Sequence, residues 1–313
     1  MKNMEKKILL AVDDSINSKN AVRYCVHMSL FIEGLTYTLF HIQPAISGFL
    51  MDEAKTNMKT QSSLVKLKKE NARKAEEMLE DLKSDMVGMG VDAERIETKT
   101  ASRKLGLAKD IIEHAQEGRY DALVAGRRGF SRVQEVFMGS LTAKLVEHSR
   151  VTPLWVVDGK VESGKILVAV DGSESALRAV DHVSFITGGN PDVEITLVHV
   201  VPKLRDYCPI DFDDSDGELE YIISQGDKKC IESFLGHTYK RFRKAGIPDD
   251  RIQIKEIQKT MGGVGKAIME EAKKGGYGTI VMGRRGVNKS FFLGSASNHV
   301  LSRSTDRAIW LVT

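Results

Sequence analysis

The chain repeats itself, and the repeat constrains the fold more than any other feature. Lys7 to Ser15 reads KILLAVDDS and Lys165 to Ser173 reads KILVAVDGS, so Asp13 and Asp171 stand 158 positions apart, as do His41 and His199. Tyr120 to Gly129 (YDALVAGRRG) then matches Tyr277 to Gly286 (YGTIVMGRRG) at an offset of 157. Gly139-Ser140 pairs with Gly294-Ser295, and Trp155 with Trp310, at 155. Two residues are therefore missing between the GRRG and GS elements of the second copy. Fixed-period similarity of this kind means two copies of one structural unit, which a chain of 313 residues accommodates as two domains of ordinary size. The expected boundaries are 1–158 and 163–313, with the polar, Gly-containing stretch Asp158 to Gly164 as the linker.

Within each copy, apolar runs of four to eight residues alternate with helical patterns. In the first they are Lys7 to Val12, Thr36 to Ile42, Ile96 to Lys99, Ala122 to Ala125 and Leu154 to Val157. Near-continuous apolar strands imply a sheet covered on both faces, hence parallel. Between them, Ala21, Val22, Cys25, Val26 and Ser29 share one helical face, and Leu107, Ala108, Ile111, Ile112 and Ala115 share another. The alternation predicts an α/β fold, two tandem doubly wound parallel-sheet domains with helices on both faces. Asp52 to Gly90 is read as one amphipathic helix, with Ala72, Ala75, Leu79, Leu82 and Met86 spaced 3 or 4 apart, packed on the sheet or also engaging a partner.

Composition excludes more than it selects. Net charge is +3, too small to point to nucleic acid or an anionic membrane as the main partner. No apolar stretch is long enough to span a bilayer, and Met1 to Lys7 is polar and leads straight into a strand, so a cytoplasmic protein without a signal peptide is expected. The three cysteines, Cys25, Cys208 and Cys230, form no CxxC pair and are expected to be reduced packing residues.

Ligands of open α/β sheets bind beyond the carboxyl ends of the strands, where the winding reverses. The first strand ends at Asp13 (Asp171 in the second copy) and the fourth at Gly126 (Gly283). A carboxylate thus faces a glycine-rich turn, Gly126-Arg-Arg-Gly129, with Gly139-Ser140 opening the next helix. Glycines remove side chains where backbone approaches a ligand or needs positive φ, and a helix start offers N–H groups to phosphate oxygens. The plainer alternative is a turn with Ser140 acting only as a helix cap. Other signals fail their templates. Gly159-x4-Gly164-Lys165 lacks the hydroxyl residue of a P-loop and precedes a strand. Gly262, Gly263, Gly265 and Lys266 read as a flexible helix start. Asp211 to Glu220 places Phe212 and Ile223 where a calcium loop needs oxygen ligands. No metal site, Ser-His-Asp set or paired-carboxylate signature is assigned, so a binding protein is expected in preference to an efficient enzyme, with slow ATP hydrolysis left open.

GxxGx9G(S/T) after a strand, VDxS at the end of the first strand, and a terminal strand introduced by Pro153 together resemble the universal stress protein family in its tandem form. The resemblance covers nearly the whole chain. It implies a five-stranded parallel sheet ordered 3-2-1-4-5 in each copy and a bound adenine nucleotide, ATP with Mg2+ as its companion. Carried over by position, Val12, Asp13 and Ile42 would meet the adenine end, and Ala125, Gly126, Arg128, Gly129, Gly139, Ser140 and Leu141 the ribose and phosphates. The second set is Val170, Asp171, Val200, Met282, Gly283, Arg285, Gly286, Gly294, Ser295 and Ala296, with the shortened loop setting this pocket apart. A stress-response role through nucleotide-dependent conformation or partner binding is implied. The alternative is a scaffold with degenerate pockets. Family members dimerise through the last strand, so the edge strands Leu154 to Val157 and Ala308 to Val312 are expected to pair within the chain as a pseudo-dimer, with a homodimer of chains also open.

Overall fold

The inner apolar runs become strands because helices cover the sheet on both faces. The computed structural model describes residues 5–127, 138–190, 193–201, 218–285 and 293–313. In the first half the elements run β1 (Lys6–Ala11), α1 (Ile16–Ser29), β2 (Leu35–Ile42), α2 (Gly48–Glu53), α3 (Met58–Gly88), β3 (Ile96–Ala101), α4 (Leu107–Glu117), β4 (Ala122–Gly126), α5 (Ser140–His148) and β5 (Leu154–Asp158). The second half repeats the plan as β6 (Ile166–Val170), α6 (Glu174–Thr187), β7 (Ile195–Val201), α7 (Glu218–Lys244), β8 (Ile252–Gln258), α8 (Val264–Lys274), β9 (Thr279–Gly283), α9 (Ser295–Arg303) and β10 (Arg307–Val312).

Matching residues do matching work. Ser15 caps α1 by accepting from Ser18 N at 3.2 Å, and Ser173 caps α6 from Ala176 N at 3.1 Å. Tyr120 donates to Thr38 at 3.0 Å, and Tyr277 to Thr196 at 3.0 Å. The segment read as one helix from Asp52 to Gly90 is two, because Asn57 starts a new helix by accepting from Lys59 N and Thr60 N at 3.0 and 3.3 Å. Ala75, Leu79, Leu82 and Met86 are buried as the spacing predicts, while Ala72 is only half-buried. Cys25 is buried, but Cys230 is exposed, against the packing role expected of it; Cys208 lies outside the described residues.

The strands form one sheet of ten, ordered β3-β2-β1-β4-β5-β10-β9-β6-β7-β8, so each half keeps the order 3-2-1-4-5. Every neighbouring pair is parallel except β5 with β10 at the centre, where Trp155 lies directly opposite Trp310. The two strands expected to seek cover thus cover each other. The indole rings stack at 4.0 Å and 4°, and both are essentially solvent-free. Each indole N–H crosses the join: Trp155 donates to His182 Nε2 at 3.0 Å, and Trp310 to Tyr24 Oη at 2.8 Å. Burial holds His182 down to about 3, so it is neutral and free to accept. One layer of the core packs α1, α3, α6 and α7 on one face of the sheet; a second packs α4, α5, α8 and α9 on the other.

Candidate functional site

The carboxyl ends of β1, β2 and β4 enclose a cavity of about 260 Å³ with the first turns of α4 and α5. Its size is near the lower end of small-molecule sites, which run roughly 300–1,000 Å³. Val12, Asp13, Ile42, Ala125, Gly126, Gly139, Ser140 and Leu141, all marked from the sequence, line it together. Arg128 and Gly129 lie outside the described residues. The lining also includes Ser18, Phe40, Leu107, Ile111 and Thr142, which sequence reasoning missed, and His41, which the repeat pairs with His199. Thr142 carried a usable signal, since Ser297 stands in its place in the second copy; Leu107 and Ile111 read as core, which they also are.

Asp13 is held rather than loose. Its Oδ1 accepts from Ser18 Oγ at 2.6 Å and from Ser15 N at 3.1 Å, which ties the carboxylate to the start of α1 and leaves it half-buried at the cavity wall. Gly126 is required for packing: a Cβ there would come within 2.8 Å of the Asn17 backbone, and one at Gly283 within 2.8 Å of Ser175 backbone. These glycines therefore let β4 and β9 abut the helix starts of α1 and α6, a reason other than the ligand approach expected of them. The carbonyl of Gly126 accepts from Thr142 Oγ1 at 2.7 Å, as that of Gly283 does from Ser297 Oγ at 2.9 Å.

Ser140 does not cap α5. The cap position is Gly139, no side chain closes it, and the first-turn residues of the helix face the cavity. Unpaired N–H groups at a helix start carry partial positive charge and suit an anion. Gly294 begins α9 with the same backbone, φ −60° and ψ 149° against φ −58° and ψ 150° at Gly139. Gly139 N donates to Arg127 O at 2.9 Å and Gly294 N to Arg284 O at 3.0 Å. The two missing residues of the second copy, which lie outside the described segments, leave this anchor unchanged.

The second-half residues gather at the equivalent strand ends with altered detail. Asp171 is exposed, and Ala176 stands where Ser18 holds Asp13. His41 and His199 both place Nδ1 on a strand carbonyl, Val12 O at 2.8 Å and Val170 O at 3.1 Å. His199 also meets Asp227 of α7 at 2.9 Å and is buried, whereas His41 is half-buried on the cavity. That carboxylate partner, 28 residues away, was not visible in sequence spacing. Val170, Val200 and Met282 are buried, Ala296 is half-buried beside Ser295, Arg285 N donates to Ser175 Oγ at 3.4 Å, and Gly286 lies outside the described residues.

The repeated motif, the strand order and the paired helix starts all indicate one fold family used twice. The model of the universal stress protein family matches residues 4–158 and again 162–305. The chain belongs to the universal stress protein family. A universal stress protein from Archaeoglobus fulgidus DSM 4304 shares the fold over 98% of this chain and 98% of its own, at 20% identity and a TM-score of 0.65. A functionally unknown protein from Pseudomonas aeruginosa PAO1 matches 99% of this chain and 93% of its own, at 13% identity and a TM-score of 0.58. No curated protein matches the chain.

The universal stress protein motif GRRG carries a further surprise. Its first arginines, Arg127 and Arg284, are neither exposed nor aimed at the cavity. Both are buried, and each reaches into the other half. Arg127 donates to the carbonyls of Ser302 and Ser304, and Arg284 to those of Glu147 at 2.8 Å and Ser149 at 2.9 Å. Asp158 lies 3.4 Å from Arg127. Burial, then repulsion from Arg150 and Arg285, holds Arg284 below the ordinary guanidinium range.

Proposed function

We propose that this universal stress protein binds an adenine nucleotide, ATP in the first instance, in the cavity of the first half, and that residues 1–158 and 163–313 are two such nucleotide units. The observation that carries the reading is the cavity itself: a held carboxylate, Asp13, on one wall and the open start of α5 on the other. Asp13 and the strand-end residues Val12 and Ile42 suit a base and sugar that offer N–H and O–H donors. The N–H of Gly139 is taken by the carbonyl of Arg127, and Ser140 and Leu141, the first residues of α5, present their backbone N–H groups to phosphate oxygens. Any Mg2+ would be held chiefly by the phosphates, as is usual for this ion beside a triphosphate.

The expected mode of action is regulated binding in the stress response, with nucleotide state changing conformation or partner affinity. Partner binding as the activity in its own right is favoured by one observation: Phe49, Met58 and Val65, on α2 and the front of α3, are 79%, 83% and 62% exposed. Among the described residues no helix is long and apolar enough to cross a membrane.

Calorimetric titration of ATP into the unaltered protein and into Ser140→Glu tests the reading. The glutamate is compatible with a first helical turn but faces the phosphates, and like-charge contact should weaken binding by roughly a hundredfold. No heat and no nucleotide released on denaturation of the unaltered protein, up to millimolar ATP, would overturn it.

A further inference from the structure

The two buried arginines close a circuit. Arg127 follows the last residue of β4, and its carbonyl accepts from Gly139, the cap of α5. Its guanidinium grips the carbonyls of Ser302 and Ser304 at the far end of α9. The near end of α9 is capped by Gly294, whose N–H is held by the carbonyl of Arg284. The guanidinium of Arg284 in turn grips Glu147 and Ser149 at the far end of α5. The circuit therefore runs from the start of α5 through Arg127 to α9, and from the start of α9 through Arg284 back to α5. Each link is a hydrogen bond between described residues.

This geometry does two things to a helix start. A cation at the last carbonyls of a helix complements its dipole and satisfies acceptors that have no partner inside the helix. It also fixes the axial position of a short rod: α5 has nine residues, about 13 Å at 1.5 Å per residue, so a grip at one end sets where the other end sits. The start of α5 faces the cavity of the first half, but the group gripping its far end belongs to the second half. The converse holds for α9.

We propose that Arg127 and Arg284 are positioning residues for the site in the half opposite their own, so that the two sites are coupled. The proposal rests on the reading that the helix starts of α5 and α9 take phosphate. Its signature is crossed. Arg284→Met should weaken ATP at the first-half site, by roughly tenfold for a coupling of ordinary size, and change the second-half site less than twofold. Arg127→Met should show the reverse. Each site is read alone by blocking the other with Ser140→Glu or Ser295→Glu, and Arg284→Lys, which keeps the charge and one donor direction, should restore part of the loss. Equal weakening of both sites, or weakening confined to the arginine's own half, overturns the proposal.

A ligand-free measurement separates this outcome from failure of the nucleotide reading. Hydrogen exchange of Arg284→Met without ATP should be faster at the Ala143 and Lys144 amides, the first that the helical ladder of α5 protects, and near the wild-type rate there in Arg284→Lys. Unchanged exchange at those amides sinks the coupling whatever the protein binds; faster exchange with no ATP binding by the unaltered protein leaves the positioning role standing and removes the nucleotide.

Discussion

The two halves carry the same frame and differ in what leans on it. At the end of β1, Asp13 is half-buried and held by Ser18, and His41 lines an open cavity; at the end of β6, Asp171 is exposed, Ala176 replaces Ser18, and His199 is buried against Asp227 of α7. Strand register, the cap glycines and the carbonyl contacts of Thr142 and Ser297 hardly change. The sheet resists change because each strand between the edges β3 and β8 is hydrogen-bonded on both sides and packed on both faces, whereas the helix opposite β2 or β7 meets the strand ends through a few side chains and can be re-aimed by single substitutions. Divergence between the copies therefore collects at the rim of the sites.

The largest test of this likeness is at the join. Trp155→Ala and Trp310→Ala each remove one ring of a buried stack, and each should lower the unfolding free energy by about 3–5 kcal/mol in urea titration. Similar losses in a single transition confirm that both halves draw on the stack alike; two separate transitions would show halves that unfold independently.

The next effect separates the copies by pH. His182 is held to about 3 when folded, against 6.5 for the free side chain. Between those values the unfolded chain carries a proton that the folded chain does not, so this contribution to stability is whole above pH 6.5 and shrinks as pH falls. By pH 5 it should be smaller by about 2 kcal/mol. His182→Tyr, which installs the residue type found at Tyr24, should remove that part of the acid sensitivity; an unaltered pH profile would break the assignment.

A smaller effect sharpens the comparison at the rim. Asp227→Ala leaves a buried His199 nitrogen without its carboxylate and should cost about 1 kcal/mol. Thermal unfolding reads the loss, and a melting temperature equal to that of the unaltered protein would mean that the contact adds nothing to the stability of the second half.

Much of this was legible because repetition makes weak signals check one another. The alternation of apolar runs yields the parallel α/β plan of both halves, the family resemblance implies their strand order, and the motif residues Asp13, Gly126, Gly139 and Ser140 do converge on one cavity. What escaped depends on where elements land after packing. Arg127 and Arg284 look like loop residues until β5 and β10 pair antiparallel and bring each beneath the other half's helix. Asp227 approaches His199 only because of where α7 begins after a long connection. Cys230 defeats an average, since burial habits of a residue type do not place an individual side chain. Gly126 lines the cavity, and its lack of a side chain also answers to the close passage of Asn17, which the sequence did not reveal.

The stacked tryptophans and their unlike acceptors carry one more consequence. In a symmetric dimer of identical chains every substitution appears on both sides of the axis, so a residue tolerated at one position must be tolerated at its mirror image. Here both sides of the axis are encoded separately, and Tyr24 and His182 already differ while each accepts from the indole N–H of the other half's tryptophan. The chain keeps the geometry of a dimer without its obligation of sameness, so one site can be altered by mutation while its twin goes on unchanged.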